Sequence, residues 1–412
     1  MLQNVTVTPA RRALEFGIYR DGDNNLDAIQ ESTLSQALHT SDRDSRIEFT
    51  VEDTTRLRAD GDAIESGALH TEQYTIADGD VTRVHLSRPH DMSSEANLAR
   101  FVAHTLDNAQ ASGAKQTWID LVDHGGGDGG GLETGDGSVM SMPAIAKAIA
   151  EGVALHAQEH PEDSQRRIDG IVANQCLMDT LGFADALSHA GVKYLAASPE
   201  TMLAPGVPSN VAHVIAAHEN DPRAMSRAIV SDVMRTKYDA GDFGGFGPAA
   251  AFDVLDLDPA KIRNAEESIK RLNDDVAGAA ADRDALSAIR QDVRAIDGMA
   301  RFPQATGDMP WRADRPAIAV YDAIASDGRL TSPLRSDAAA ARDAVNDLVL
   351  AHRESDEFEP FGGADYSDAA GPTVHLPTTR RQIDPWAAAG VVETDNDFYK
   401  NVDESKMTRA LT

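Results

Sequence analysis

The sequence is short of cysteine, lysine, long apolar runs and internal repetition, and each shortage closes off a class of function. Its single cysteine, Cys176, cannot form an intramolecular disulfide, so a small disulfide-stapled scaffold is excluded. The thiol is left as a small buried apolar group, a regulatory thiol or a nucleophile. Lysine occurs 8 times against 30 arginines, and these 38 basic residues face 67 acidic ones, for a net charge of -29. Such a surface repels phosphate backbones and anionic headgroups, so neither nucleic acid nor a membrane is an expected partner. A basic partner suits it, although a high-salt habitat or genome composition would give the same bias. No run of 18 apolar residues occurs, which excludes a transmembrane helix. The opening Met1–Phe16 lacks the apolar stretch and small-residue cleavage site of a secretory signal. The 412 residues suffice for one large domain or two, with a sizeable core.

What is present is an alternation of strands and helices over residues 13–258. Ala13–Tyr19 reads as a strand running into Arg20-Asp21-Gly22-Asp23-Asn24-Asn25, with Leu26–His39 as the helix after it. Arg46–Asp53 reads as a strand, and Ala68–Ala77 with Val81–Ser87 as a hairpin turning at Asp78-Gly79. Ser93–Ala111 is a helix opened near Ser94. Thr117–Val122 and Ile168–Ala173 are near-continuous apolar strands, the pattern of strands covered on both faces. This βαβ rhythm predicts a mostly parallel sheet flanked by helices, with residues 1–258 as the core unit. Beyond Asp258-Pro259 the chain turns rich in Ala, Asp and Arg and reads as helical to about Arg353, with a break near Gly298–Arg312. A polar stretch at Glu354–Gly371, a strand at Thr373–Pro377 and a closing helix at Asp397–Leu411 complete a C-terminal extension, 259–412, packed on the core.

In an open parallel sheet, reactive groups collect beyond the carboxyl ends of the strands, where loops face a crevice and helix N-termini are positive. Thr117–Val122 runs into Asp123-His124-Gly125-Gly126-Gly127, and Ile168–Ala173 into Asn174-Gln175-Cys176-Leu177-Met178. A histidine and the one cysteine therefore stand just past two buried strands with one helix between them, which predicts adjacent or nearly adjacent strands. A helix opening at Leu177 and a nearby imidazole would both favour the thiolate. His124 can then protonate a leaving amine. The N–H groups of Gly125 and Cys176 would make an oxyanion hole, since glycine lets a carbonyl approach its backbone.

Together these two motifs resemble the clostripain family of cysteine peptidases, within the caspase-like clan. Further matching segments are Tyr19–Leu26, Ala197-Ser198-Pro199-Glu200 followed by Pro205-Gly206, and Gly371–Pro377, so the resemblance runs from about residue 13 to the end. It implies an endopeptidase with a His124/Cys176 dyad on a caspase-like three-layer α/β sandwich, with C-terminal strands rejoining the sheet. It also implies a peptide or protein substrate, a monomer, and no required cofactor or metal, although some relatives use calcium. Relatives often cut themselves between the two catalytic strands, where this chain has Gln165-Arg166-Arg167. Many cleave after Arg or Lys, using an acid two residues before the cysteine. Here that position holds Asn174, followed by Gln175, and an amide offers a basic side chain no ion pair. Asn174 and Gln175 would lie at the pocket floor and Ser198–Glu200 on one wall, with Glu200, Asp128, Glu133 or Asp136 as substitute acids.

Rival motifs are weaker. His156-Ala157-Gln158-Glu159-His160 has the spacing of a zinc peptidase, but Pro161 disfavours helical geometry at His160. Gly125-x-Gly127-x-x-Gly130 mimics a dinucleotide loop, yet no helix opens directly after it and the next begins near Pro143. Asp21-Gly22-Asp23-Asn24-Asn25 starts like a calcium loop, but Leu26 and Ser32 replace the turn glycine and the bidentate acid. A strand-end turn and helix cap fits it better. His104, His213 and His218 have no partner at a known spacing. The alternative from another class is a catalytically silent caspase-like scaffold presenting its acidic surface to a basic partner.

Overall fold

Strict alternation of side chains between two apolar cores sets the architecture. In the computed structural model, which describes residues 11–27, 32–56, 68–238, 245–301, 310–355, 365–379, 382 and 396–412, strand β1 spans Leu14–Asp21. Its Leu14, Phe16 and Ile18 enter one core while Tyr19 enters the other. Strand β5 (Gln116–Val122) sends Trp118 and Val122 to the first core and Ile119 and Leu121 to the second, and β8 (Gly170–Asn174) divides Val172 from Ile171 and Ala173 in the same way. A period of two with both faces apolar requires a layer of helices on each side.

With β2 (Ile47–Arg56), β3 (Leu69–Ala77), β4 (Asp80–His85), β9 (Tyr194–Ala197), β10 (Ala251–Asp256) and β12 (Val349–Glu354), these strands form one nine-stranded sheet in the order β12-β10-β9-β8-β5-β1-β2-β3-β4. The run from β2 to β9 is parallel. The hairpin at one edge and β10 with β12 at the other are antiparallel. The chain leaves β1 on one side to make β2 and returns on the other side as β5, so strand order reverses between β1 and β5. That reversal opens a crevice at the carboxyl ends of these two strands.

Helices α1 (Ser32–Arg43), α5 (Val211–Ala217) and α6 (Pro222–Arg235) cover the Phe16 face. The other face carries α2 (Glu95–Ser112), α3 (Met142–Glu159) and α4 (Leu181–His189). Beside them pack the C-terminal α7 (Pro259–Gly278), α8 (Arg283–Ala295), α9 (Ala317–Ser326), α10 (Ser332–Asn346), α11 (Asp397–Asn401) and α12 (Ser405–Leu411). Leu195 and Ile171 of the sheet share that core with Leu272, Ala338 and Val402, so residues 259–412 complete the second helical layer. No helix among the described residues is long and apolar enough to cross a membrane.

Three sequence readings are corrected. Val349–Glu354, read as the end of a helix, is the edge strand β12, a half-buried segment that pairs antiparallel with β10. The closing helix breaks at Asp403, whose φ of 56° is left-handed, into α11 and α12. The stretch Leu132–Met142, read as loop, contains a small hairpin of β6 (Gly131–Glu133) and β7 (Val139–Met140). The late strand β13 (Thr373–His375) pairs with β11 (Asp314–Pro316) in a separate two-stranded sheet, and β12 is the C-terminal strand that returns to the main sheet. Residues 28–31, within the first helix expected over Leu26–His39, lie outside the described residues, as does half of Glu354–Gly371.

Candidate active site

The crevice between β1 and β5 holds three converging loops. Register pairs Arg20 with Val122 and Val122 with Asn174, so the segments after Asp21, Val122 and Asn174 emerge side by side. His124 and Cys176 thus follow directly adjacent strands. Contact is close: a Cβ on Gly125 would come within 2.3 Å of the Cys176 carbonyl oxygen and 2.9 Å of Gln175 Cβ. Glycine is required there because the two backbones abut.

His124 is half-buried and held from two sides. Its Nε2 lies 2.8 Å from Asn25 Oδ1, and its carbonyl accepts from Gln175 Nε2 at 2.8 Å. With Asn25 accepting, the proton resides on Nε2 and the Nδ1 lone pair is left as a base. Burial lowers the pKa of His124 from its ordinary value, opposed by the charge of Glu133. The neighbouring Asp123 is buried, with Oδ1 accepting from Asn24 Nδ2 at 2.6 Å. Burial and the charge of Asp21 push its pKa well up.

The thiol of Cys176 is half-buried. Its sulfur accepts from Met202 N at 3.3 Å and lies 3.7 Å from the Met202 carbonyl oxygen. No hydrogen bond joins it to His124 among the described residues. Leu177, Met299 and Ala300 pack against it. Burial raises the thiol pKa above its usual value, with the Met202 backbone opposing and the charges of Glu200 and Asp123 adding. The helix expected to open at Leu177 does not: Leu177 has φ 66°, and α4 starts at Leu181 with Thr180 as its N-cap. Leu177 N instead bonds the Glu200 carbonyl at 3.1 Å, and Asp179 N bonds Ser198 O at 3.1 Å, which pulls the chain alongside Ser198–Glu200. No helix dipole therefore reaches the sulfur.

The other candidate residues are largely held by partners of their own, although Gln175 Oε1, Glu200 Oε1 and Asp128 Oδ1 are buried without a hydrogen bond. Asn174 is buried, accepting from Val207 N at 2.7 Å and donating to Val207 O at 3.2 Å, beneath the positive-φ Gly206. Ser198 is buried in a turn with Glu200. Glu200 is buried 3.4 Å from Arg301 Nε, and burial lifts its pKa to about 7 against the pull of that guanidinium. Arg301 also pairs with Asp368 at 2.6 Å and lies 5.9 Å from the Tyr366 ring centroid. Asp128 accepts from the Tyr399 hydroxyl, and burial, reinforced by the Asp314 charge, lifts it to about 7. Asp314 is in turn bonded to His375 Nδ1 at 2.7 Å. Asp136 is exposed and closes its own turn with Thr134 and Ser138. Glu133 is exposed, near His124.

Two backbone donors remain. Among the described residues neither the Gly125 nor the Cys176 N–H makes a main-chain hydrogen bond, whereas Gly126 N and Leu132 N are taken by Gly130 O and His124 O. Sequence reasoning missed Asn25, Met202 and Arg301. A signal existed only for Asn25, which lies a few residues past the carboxyl end of β1, next to the strand that leads to His124.

The rival motifs fall elsewhere. His156 and His160 meet at the far end of α3, but Glu159 is exposed and the carboxylate beside them is Asp107. Gly127–Gly129 is a single 3-10 turn with no helix after it. Asp21 Oδ1 accepts from Asp23 N, making the strand-end turn. His213 pairs with Asp44 at 2.6 Å.

No family model matches the sequence, and no curated protein matches it. Solved structures do. A secreted C11 cysteine protease from Bacteroides thetaiotaomicron, iotapain, is 13% identical over 95% of this chain and 100% of its own, with a TM-score of 0.63. A C11 protease from the same organism in complex with an irreversible peptide inhibitor is 12% identical over 95% and 99%, with a TM-score of 0.64. An inactive zymogen C11 protease from Parabacteroides distasonis is 15% identical over 96% and 99%, with a TM-score of 0.62. The nine-stranded sheet, its two helical layers and the crevice between β1 and β5 thus make up the fold of the C11, or clostripain-type, cysteine proteases.

Proposed function

We propose that the protein is a cysteine endopeptidase in which Cys176 attacks the scissile carbonyl and His124 transfers the proton. The observation that carries this reading is the pair of N–H groups, Gly125 and Cys176, which make no main-chain hydrogen bond among the described residues and stand on abutting backbones beside a thiol and an oriented imidazole. A carbonyl oxygen seated between these donors puts its carbon against the sulfur. As the S–C bond forms, the thiol proton passes to His124 Nδ1 and the oxyanion takes both N–H groups. Collapse of the intermediate breaks the C–N bond, and the imidazolium protonates the departing amine. Water then attacks the acyl-enzyme, its proton taken by His124 and returned to the sulfur.

A raised thiol pKa and a lowered imidazole pKa mean that the resting pair is neutral. The proton then moves as the thiol attacks the bound carbonyl, with the developing oxyanion stabilised by the two N–H groups. The likeness to a protease solved with an irreversible peptide inhibitor supports a peptide substrate. Asn174 is tied to Val207 and Glu200 to Arg301, so neither position supplies an unpaired carboxylate for a basic side chain preceding the cut. Self-cleavage near Gln165-Arg166-Arg167 would have to release Arg166, which bonds Asp163 and Ala114 O, and Arg167, which bonds Ser164 O.

The test is hydrolysis of a peptide library by the wild-type chain, Cys176→Ala and His124→Ala. Cleavage by the wild type alone is expected. Activity surviving in Cys176→Ala would overturn the assignment. A second reading, the silent scaffold, draws on the packing of Met299 and Ala300 against the thiol. It predicts that the wild type cleaves no library member and that a thiol-directed probe labels Cys176 no faster than free cysteine.

A further inference from the structure

The structure assigns a metal site to the far end of α3: we infer that Asp107, His156 and His160 bind one divalent first-row transition ion, zinc by preference, which staples α2 to α3. The site is independent of the protease reading. Helix α3 starts directly after the β6–β7 hairpin and runs 18 residues, or about 27 Å, so its C-terminal end lies at the amino edge of the sheet. An ion there is remote from Cys176 and structural in effect.

Geometry is the first support. His156 occupies the last turn of α3 and His160 is its C-cap, and their rings stack with centroids 5.0 Å apart. Asp107 of α2 presents Oδ1 2.7 Å from His156 Nδ1 and 3.4 Å from His160 Nε2. Zinc bound at about 2.0–2.1 Å by imidazole and carboxylate holds tetrahedral ligand atoms about 3.3–3.5 Å apart. The His160–Asp107 spacing falls within that range, and the His156–Asp107 spacing, now a direct hydrogen bond, falls short of it. Opening the shorter one requires Asp107 to withdraw by about 0.6–0.8 Å, and its side chain, 31% exposed, has room to do so.

The outer partners are the second, independent support. Each imidazole turns its remaining nitrogen toward a different carboxylate: His156 Nε2 lies 3.5 Å from Asp163 Oδ2, and His160 Nδ1 lies 3.4 Å from Glu162 Oε1. Carboxylate–imidazole–metal relays of this kind fix the tautomer and raise the basicity of the ligand. His156 is fully buried, and its Nε2 faces Asp163 without making a hydrogen bond to it. Glu162 and Asp163 are themselves steadied by Gln110 and Arg166.

Preorganisation is the third. One turn before His156, a Cβ on Gly152 would come within 2.5 Å of Ala99 O and of Val102 Cβ. The two helices therefore touch through backbone, and Asp107 is delivered to the histidines by a rigid pair. Two nitrogen donors and one oxygen select zinc or a neighbouring ion over calcium, which prefers six to eight oxygens. Three protein ligands leave the fourth position for water.

The experiment uses the full chain in a Cys176→Ala background, so that the thiol cannot bind the ion, with zinc chloride titrated into chelator-treated protein. One equivalent is expected to bind and to raise the melting temperature. His160→Ala, a half-exposed position that leaves the buried His156–Asp107 pair intact, should abolish both effects, and Asp163→Asn should weaken binding about 10- to 100-fold. Glu159→Ala should bind as the parent does. Absence of stoichiometric binding, equal binding by His160→Ala, or a preference for calcium would overturn the site.

Discussion

Gln175 Nε2 donates to the carbonyl of His124 across 2.8 Å, so the residue before Cys176 holds the main chain of the histidine. The amide also fills the space above Gly131, where a Cβ would come within 2.5 Å of Nε2. Replacing Gln175 by Ala should let the His124–Gly131 strip shift while the sheet stays intact. A fall in kcat of about 10- to 100-fold is expected, as for sub-ångström misplacement of a catalytic group. Gln175→Glu should fare no better, because a carboxylate oxygen would face the His124 carbonyl. The comparison needs turnover rates and a far-UV spectrum, and wild-type turnover in both variants would refute it.

Gly125→Ala places a methyl 2.3 Å from the Cys176 carbonyl oxygen. Either the His124 loop or the Cys176 turn must give way, which separates the two proposed oxyanion donors. Loss of one such donor costs about 2.7–4 kcal/mol of transition-state stabilisation, so kcat should drop about 100-fold or more with little change in KM. A change confined to KM would argue against an oxyanion hole at this place.

Asn25 sets the protonation of the histidine. Asn25→Asp brings a negative charge to within hydrogen-bonding distance of Nε2, and an adjacent opposite charge raises an imidazole pKa by about one unit or more. The acid limb of the kcat/KM profile should move to higher pH, measured on the same peptide as the wild type. An unmoved limb would mean that His124 does not titrate in that limb.

Burial of acids fixes how stability follows pH. Asp21, Asp128 and Glu200 are each lifted to about 7, chiefly by desolvation. An acid that holds its proton more tightly when folded contributes fully below its unfolded value, and that contribution is lost as pH rises through the folded one. For these three the loss runs from about pH 4 to about pH 7. Burial alone would lower His352, but hydrogen bonds to Asp253 and Glu354 carry it to about 9, so its contribution is lost between about pH 6.5 and pH 9. Asp44 and Glu72, held near 2 by Arg46 and Arg83, contribute fully across this range and lose that contribution only as pH falls below about 4. The melting temperature should therefore fall steadily from pH 5 to pH 9, and a rise across that range would contradict the assignment.

Arg301 should matter to stability before chemistry. Its guanidinium is the cation beside buried Glu200 and also pairs with Asp368. Arg301→Ala leaves a buried acid without its partner, a change that costs about 3–5 kcal/mol. Arg301→Ala with Glu200→Gln should recover part of it. A double variant no more stable than the single one in urea unfolding would show that the two residues are not coupled.

Much of this site was legible because it follows from strand ends. Thr117–Val122 and Ile168–Ala173 are apolar runs broken only by Thr117, Asp120 and Asp169, which marks them as buried parallel strands, and the reactive residues follow directly. Sequence gave no comparable handle on Leu177, where a helix start was expected. Its left-handed backbone is imposed by the bond to Glu200 O, a contact between segments far apart in the chain. β12 escaped for a related reason: Val349–Glu354 lies at a half-exposed edge, so its pattern resembles the polar helices before it, and only pairing with β10 makes it a strand. Arg301 was invisible because an ion pair between residues about a hundred positions apart leaves no local pattern.

The bond from Tyr399 to Asp128 spans 271 residues and ends in the turn that follows His124. Its consequence lies in time. During synthesis the histidine loop leaves the ribosome long before the tyrosine that braces it has been made, so the loop is expected to reach its final form only once α11 has emerged and docked. A nascent chain arranged in this way carries Cys176 through the rest of translation without a finished site around it.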